Sequence, residues 1–94
     1  MQNDRFEWHD AKAASNLTKH RISFEDACIA FDDPDGVDNL DVRDDYGEER
    51  INRIALVGTL VMTVTFVQRE NRIRIISARK AKKDEQDEYF ENKV

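Results

Sequence analysis

The chain of 94 residues contains little cysteine, proline or glycine, and each scarcity excludes a class of protein. Its single cysteine, Cys28, cannot form an internal disulfide, so the sequence predicts a reduced, cytoplasmic protein. One proline and three glycines exclude a collagen and a proline- and glycine-rich linker. The length predicts a single domain over residues 1–94 with one modest hydrophobic core.

Long hydrophobic runs are also missing. The most apolar stretch, Ile54–Val67, has 14 residues and includes one glycine and three threonines. It is shorter and more polar than the ~20 residues that a transmembrane helix needs. The N-terminal segment MQNDRFEWHD has no apolar region, so we expect no export signal.

Charge is distributed unevenly along the chain. The formal net charge is −5, with six basic and 14 acidic residues in positions 1–50. Positions 51–83, in contrast, contain eight basic residues and one acidic residue. The negative net charge of the whole chain argues against a nucleic-acid partner, whereas the excess of positive charge in positions 51–83 argues for one. The basic stretch is therefore either a surface that binds nucleic acid or a solvated face.

Hydrophobic periodicity predicts two helices in the first third of the chain. A short strand or extended arm around Trp8 precedes the first helix, for which Asp10 is the expected N-cap. The expected apolar stripe of this helix consists of Ala11, Ala14 and Leu17. The second helix is expected to begin at Ser23, which starts a capping box, and to end before Pro34.

Alternating hydrophobicity predicts a meander of antiparallel strands in the second half of the chain. The expected strands span residues 50–57, 60–69 and 72–78. Two-residue turns at Gly58-Thr59 and Glu70-Asn71 make neighbouring strands antiparallel. With a final helix from about Ala81, these elements predict a small α+β domain with two N-terminal helices, a mostly antiparallel sheet and a C-terminal helix.

The usual catalytic signatures are not present. The chain has no glycine-rich phosphate loop, and His9, His20 and Cys28 do not have the spacing of zinc ligands. Ser77 lies in no nucleophile motif, and the aspartate-rich residues 32–45 do not have the spacing of a calcium loop. We therefore expect neither a metal nor a cofactor.

The remaining chemical groups are those of arginine, lysine, histidine, glutamate and a few aromatic residues. Such groups suffice to cleave RNA, because the 2′-hydroxyl of RNA is itself the nucleophile. Arginine binds phosphate through two parallel hydrogen bonds, and lysine, histidine or glutamate transfers protons. An aromatic ring stacks on an unpaired base. This chemistry requires no fixed spacing in the sequence.

Three segments resemble the BrnT toxins of bacterial type II toxin–antitoxin systems: FEWHDAKAASNLTKHRISFEDACIAFDDP, EERINRIALVG and RIRIISARKA. The resemblance covers nearly the whole chain in the same order. It implies a RelE-like fold, an RNA-cleaving growth inhibitor, and a BrnA antitoxin whose ribbon-helix-helix domain allows the complex to repress its own operon. Arg21 stands where the family commonly has glycine, so we expect a left-handed backbone there.

Five residues are candidates for catalysis. Arg79 is expected to bind phosphate, and Lys80 either to bind phosphate or to carry a proton. Arg50 is a second candidate phosphate ligand. Glu49 is either a general base or an ion-pair partner, and His20 is either a general acid or base or a helix cap.

The candidate RNA-binding residues are Trp8, Arg53, Arg72, Arg74, Lys82 and Lys83. Arg72 and Arg74 are expected on one face of the sheet, together with Arg53, and Ile73 and Ile75 on the other. Each role has a structural alternative: Trp8 belongs to the core, or the arginines form ion pairs or bind the antitoxin. The alternative for the whole chain is a non-enzymatic module whose basic face docks an acidic partner.

Overall fold

A computed structural model of the protein describes residues 1–42 and 47–93. In chain order its elements are β1 (Phe6–Glu7), α1 (Asp10–His20), α2 (Phe24–Ile29), β2 (Val37–Leu40), β3 (Ile51–Val57), β4 (Leu60–Arg69), β5 (Arg72–Lys80) and α3 (Lys83–Asn92). This order confirms the predicted α+β domain. Part of the aspartate-rich segment, residues 43–45, lies outside the described residues. No helix within the described ranges combines the length and apolar character needed to cross a bilayer.

The strands form a five-stranded sheet in the order β1-β5-β4-β3-β2. Strands β2 to β5 are antiparallel to their neighbours, and the short β1 runs parallel to β5, so the sheet is mixed. Both predicted turns are present. Gly58 has a φ of 62° and Glu70 a φ of 49°, which are left-handed conformations suited to reversing the chain within two residues.

Helix α1 differs from its prediction in two respects. It begins one residue earlier, because His9 rather than Asp10 is the N-cap, and Asp10 lies in the first turn. The predicted apolar stripe is wrong, since Leu17 is 50% exposed while the polar Asn16 is 6% exposed. The helix therefore does not lie on the sheet through an apolar stripe.

Asn16 explains how α1 packs instead. Its side-chain nitrogen donates hydrogen bonds of 2.9 Å to the carbonyl oxygens of Ile22 and Ala78, and its side-chain oxygen accepts one of 3.1 Å from the N–H of Ala78. Both backbone groups of Ala78 are thus bound by one side chain, as a neighbouring strand would bind them. Helix α1 consequently closes the edge of β5 beyond the short β1.

The residues between α1 and α2 have the predicted backbone conformation. Arg21 has a φ of 60°, and its N–H donates to the carbonyl oxygen of Leu17 at 2.9 Å, which ends the helix in a left-handed conformation. The hydroxyl of Ser23 accepts a hydrogen bond of 3.1 Å from the N–H of Asp26, as an N-cap does.

The main core lies between one face of the sheet and helices α1 and α2. Its buried residues are Phe6, Trp8, Ile22, Phe24, Ala27, Ala30, Ala55, Met62, Val64, Phe66, Ile75 and Ala78. Each large side chain buried there stabilises the fold by about 1.5–3 kcal/mol. Ile73 packs against this cluster together with Ile75, which confirms that both belong to the helix-covered face.

Helix α3 packs on the opposite face of the sheet. Tyr89 is fully buried there with Ile54, Val61 and Ala81. Its hydroxyl donates a 2.7 Å hydrogen bond to Asp33, which also accepts one of 2.8 Å from the N–H of Leu56. Burial and the adjacent Asp33 carboxylate raise the pKa of Tyr89 to about 12. One half of the second face is thus covered by α3 rather than open.

Arg53 lies on the helix-covered face, so the expectation that it shares a face with Arg72 and Arg74 is wrong. Its guanidinium donates hydrogen bonds of 2.9 and 2.8 Å to the carbonyl oxygens of Ala30 and Asp33. These carbonyls follow α2, where helical partners are no longer available. Arg53 therefore satisfies the end of α2 and attaches it to β3.

Candidate functional site

Five arginines share the sheet face opposite α1 and α2. Directly paired residues of antiparallel strands lie on the same face of the sheet. The arginines of β5, Arg72, Arg74 and Arg79, pair with Arg69, Val67 and Thr63 of β4. Arg50 continues the alternation of β3, because its carbonyl oxygen accepts a 2.8 Å hydrogen bond from the N–H of Asp41. We call this surface the arginine face; it consists of Arg50, Arg69, Arg72, Arg74 and Arg79.

A β-bulge brings Arg74 and Arg79 to the same face. Their positions differ by five, and in a regular strand an odd difference places two side chains on opposite faces. The register of β5 shifts at Thr65/Phe66, so that Ile75 pairs with Phe66 but Ser77 pairs with Thr65. The extra residue restores a common face for the two arginines, about 16 Å apart along the strand.

Arg79 is held by Glu85 of α3. Its Nη1 and Nη2 atoms lie 2.7 and 3.0 Å from the two oxygens of the Glu85 carboxylate. The N–H of Lys82 also donates to this carboxylate at 2.8 Å, which satisfies one free N–H at the start of α3. Burial raises the pKa of Glu85, but the hydrogen bonds from Arg79 and Lys82 outweigh burial and lower it to about 2.

This pair makes a prediction for stability against pH. The pKa of Glu85 is about 2 in the folded chain and ordinarily 4.5. The carboxylate therefore stabilises the fold above pH 4.5, and we expect on the order of 2 kcal/mol to be lost as the pH falls towards 2. Urea unfolding between pH 2.5 and 6 should show a flatter profile for Glu85→Gln. Glu91→Gln, an exposed change on the same helix, should follow the unchanged chain, and identical profiles for all three would contradict the expectation.

The other arginines form a second group near the turn between β4 and β5. Arg74 donates to Glu7 of β1 through Nε at 2.8 Å and Nη2 at 2.6 Å. The Arg74 hydrogen bond lowers the pKa of Glu7. Glu48 lies 3.6 Å from Arg50 and 4.0 Å from Arg69. Glutamates at the margin of the face thus contact Arg50, Arg69 and Arg74, whereas Arg72 donates a 2.7 Å hydrogen bond to the carbonyl oxygen of Asn3.

A strip of neutral polar residues separates this group from Arg79. Asn52, Thr65 and Ser77 form one row across β3, β4 and β5. The hydroxyl of Thr65 donates a 2.6 Å hydrogen bond to the side-chain oxygen of Asn52. A chain of phosphates laid across this strip would have an arginine group on each side.

His20 approaches the same strip from the edge of β5. It lines a shallow cleft of about 210 Å³ together with Ile76 and Ser77 of β5. The other lining residues are Lys12, Ser15, Asn16 and Lys19 of α1. Because Ser77 belongs both to the cleft and to the polar row, the cleft connects His20 and two lysines with the arginine face.

The sequence model of the family described as ribonuclease toxin, BrnT, of type II toxin-antitoxin system matches residues 8–85. The chain belongs to the BrnT family. No curated protein matches the chain. Membership of this family makes the protein a ribonuclease toxin of a type II system, which implies RNA as substrate and an antitoxin as partner.

Not all of the predicted site residues lie on the arginine face of this BrnT-family chain. Lys80 pairs with Met62 of the main core and therefore lies on the other face from its neighbour Arg79. Trp8 is 7% exposed and packs edge-on against Phe24, with ring centroids 5.7 Å apart, so little of its surface is available to a base. Arg53 holds the end of α2, as described above.

The remaining predicted residues lie at the margins of the arginine face. Lys82 and Lys83 are exposed at the start of α3, next to the pair of Arg79 and Glu85, and Lys83 forms a 3.2 Å ion pair with Asp87. Glu49 is exposed immediately before Arg50 and β3. These positions leave the lysines and Glu49 accessible to a large ligand.

Sequence reasoning did not find the glutamates that hold the arginines. Glu85 follows Lys82 by three residues, the spacing at which a glutamate side chain reaches back to the first N–H of a helix. The sequence therefore contains a signal for the capping role of Glu85 in α3. Its contact with Arg79 has none, because it depends on how α3 turns back over the sheet. Glu7 meets Arg74 only because β1 pairs with β5.

Within residues 1–42 and 47–93, the histidine, cysteine, aspartate and glutamate side chains form no group of three that could hold a metal ion. The arginine face and its margins present guanidinium, ammonium, imidazole and carboxylate groups. These groups bind phosphate and transfer protons.

Proposed function

We propose that this chain is an endoribonuclease that cleaves RNA without a metal, through attack of a 2′-hydroxyl on the adjacent phosphorus. The observation that carries the proposal is the arginine face, on which Arg74 and Arg79 flank a strip of neutral polar residues. A positively charged face is suited to the phosphate groups of RNA, and a neutral strip leaves room for the ribose between them.

The proposed reaction needs three contributions from the protein. A base removes the proton of the 2′-hydroxyl as its oxygen bonds to phosphorus, and an acid protonates the departing 5′-oxygen. The products are a 2′,3′-cyclic phosphate and a free 5′-hydroxyl. Arg79 stabilises the negative charge that builds up on the phosphate oxygens, and Arg50, on the other side of the polar strip, binds a neighbouring phosphate of the RNA. His20 and Glu49 are the candidates for the two proton transfers, because Lys80 lies on the opposite face of the sheet from Arg79.

The ion pair of Arg79 defines the first step of binding. A phosphate that takes both Nη atoms of Arg79 must displace Glu85, whose oxygens occupy them at 2.7 and 3.0 Å. A carboxylate and a phosphate present similar pairs of oxygens to a guanidinium, so one can replace the other. Glu85 therefore keeps Arg79 oriented in the free protein and competes with RNA for it.

The proposed biological setting follows from the family. We propose a single toxin domain acting in the cytoplasm, neutralised by a BrnA-type antitoxin with a ribbon-helix-helix domain. In this setting the complex represses its own operon through the antitoxin, because none of the described helices α1, α2 and α3 is basic enough to read a DNA groove.

Incubation of the purified chain with labelled RNA in EDTA tests the proposed reaction. We expect cleavage fragments that end in a 2′,3′-cyclic phosphate and begin with a 5′-hydroxyl, in both the presence and the absence of Mg²⁺. Fragments with 5′-phosphates, or cleavage that EDTA abolishes, would contradict the proposed mechanism. No cleavage by a folded chain would instead support a non-enzymatic binding module.

A further inference from the structure

The two edges of the sheet differ in how they are covered. At one edge β1 pairs with the first part of β5, and the Asn16 side chain binds both backbone groups of Ala78 further along. At the other edge is β2, the last strand of the sheet order. Among the described residues no strand pairs with its outer side. Proteins usually cover, twist or charge such an edge, because its unpaired backbone groups accept another strand.

The backbone of β2 presents hydrogen-bonding groups outward. The N–H of Asp41 donates to the carbonyl oxygen of Arg50, so Asp41 is bonded inward, to the β3 side. Orientation alternates along an antiparallel strand, and the N–H and C=O groups of Asp38 and Leu40 therefore point away from β3. These are the groups that an added strand would bind.

Two apolar side chains lie beside this edge. Leu40, the last residue of β2, is 55% exposed, and Val42, two residues after it, is 78% exposed. Leu40 pairs with Ile51, whose side chain packs against the main core. The apolar surface thus continues from the core to the free edge, which an added strand with matching apolar residues would cover.

The surroundings of β2 are acidic. Residues 32–41 include five aspartates and no basic residue, and α3 carries five acidic residues against one lysine. Helix α3 adjoins β2, where Glu88 accepts a 2.8 Å hydrogen bond from Asn39. A second copy of the chain paired at this edge would bring two acidic surfaces together, and RNA would be repelled. A basic polypeptide segment complements the charge.

We propose that the outer edge of β2 binds an extended segment of the antitoxin, in which apolar residues alternate with lysine or arginine. The apolar residues cover Leu40 and Val42, and the backbone bonds to Asp38 and Leu40. The proposal rests on that part of the proposed function which concerns an antitoxin, and it is independent of the cleavage mechanism.

Amide hydrogen exchange tests the backbone contacts directly, with the purified cognate antitoxin as the probe. In the free chain we expect fast exchange at the outward N–H of Leu40 and slower exchange at the inward N–H of Asp41. In the complex, exchange at Leu40 should slow by at least tenfold. Unchanged exchange at Asp38 and Leu40 in a saturated complex would overturn the proposal.

Two variants test the same edge by affinity. Leu40→Pro removes an outward N–H that forms no hydrogen bond with β3, and an edge strand tolerates this change. Leu40→Lys introduces a positive charge that repels a basic segment. Each should raise the Kd for the antitoxin by at least tenfold. Leu17→Lys, a matched control at a residue of similar exposure on α1, should change it less than twofold. If Leu40→Pro fails to fold, Leu40→Lys alone decides.

The remaining outcomes identify other occupants of the edge. Equal antitoxin affinity for folded Leu40→Lys and the unchanged chain would overturn the proposal. So would a dimer of the free chain that Leu40→Lys converts to a monomer, because a second copy would then occupy the edge. RNA cleavage without antitoxin, measured in parallel, tests only the ribonuclease mechanism, so the two proposals can fail separately.

Discussion

Arg79→Ala is expected to reduce kcat/KM for RNA cleavage by about 10²–10³-fold, the usual effect of removing one group that stabilises transition-state charge. The guanidinium of Arg79 is oriented by both oxygens of Glu85 and lies beside the polar strip of Thr65 and Ser77. It is therefore prepared to receive two oxygens of a phosphate. Cleavage of a labelled RNA under single-turnover conditions measures the loss.

Arg5→Ala is the matched control for this prediction. Arg5 also pairs with one carboxylate, that of Asp32 at 3.1 Å, but it is exposed beside the end of α2. Its loss should change cleavage less than threefold. Arg79→Lys keeps the charge but not the paired hydrogen bonds, so its kcat/KM should lie between those of Arg79→Ala and Arg5→Ala. Full activity of a folded Arg79→Ala chain would remove Arg79 from the mechanism.

Substitution of Glu85 distinguishes phosphate binding by Arg79 from a purely structural role of the ion pair between Arg79 and Glu85. Glu85→Gln removes the competing charge but leaves Arg79 in place, so RNA should bind more tightly. Arg79→Ala should weaken RNA binding. If the ion pair had only a structural role, both substitutions would change the affinity for RNA in the same direction, because each one breaks the same pair. Titration of each variant with labelled RNA at constant salt measures the difference.

Asn16→Ala is expected to lower the free energy of unfolding by about 3 kcal/mol, a large part of the 5–15 kcal/mol typical of a domain. The change leaves Ile22 and Ala78 with unsatisfied backbone groups in a buried place. Each such group costs about 1–3 kcal/mol, and the better helix propensity of alanine returns only about 0.6 kcal/mol. Urea unfolding followed by the fluorescence of the single, buried Trp8 measures the loss.

Asn39→Ala is the control for Asn16→Ala. Asn39 also donates hydrogen bonds through its side-chain nitrogen, but its partner is the exposed carboxylate of Glu88. Water replaces that partner, so we expect a change of less than about 0.5 kcal/mol. Equal losses for the two variants would show that Asn16 does not close the sheet edge.

The regular elements were predictable because their signals are local. The two-residue turn at Gly58-Thr59 and the alternation on either side of it predict β3 and β4, and the structure places β4 at the expected residues. The hydroxyl of Ser23 and the left-handed Arg21 also lie where short-range patterns indicate. Each of these features depends on contacts within a few residues along the chain.

The composition of the candidate site was less predictable. Arg53 lies in a predicted strand as Arg72 and Arg74 do, yet it faces α2, because α2 is followed by carbonyl oxygens that need donors. Trp8 follows β1 closely and is carried into the core with it. Lys80 and Arg79 are neighbours in sequence and face opposite sides of the sheet.

By itself, the sequence determined the order of the helices and of strands β3, β4 and β5, their turns, and membership of the BrnT family, since these depend on local spacing and on the linear succession of residues. Only the tertiary structure decided which charged groups meet. The bulge of β5 reunites Arg74 with Arg79, α3 turns Glu85 onto Arg79, and Asn16 closes one sheet edge while β2 leaves the other open. Such contacts join residues far apart in the chain, and their positions follow from how whole elements pack.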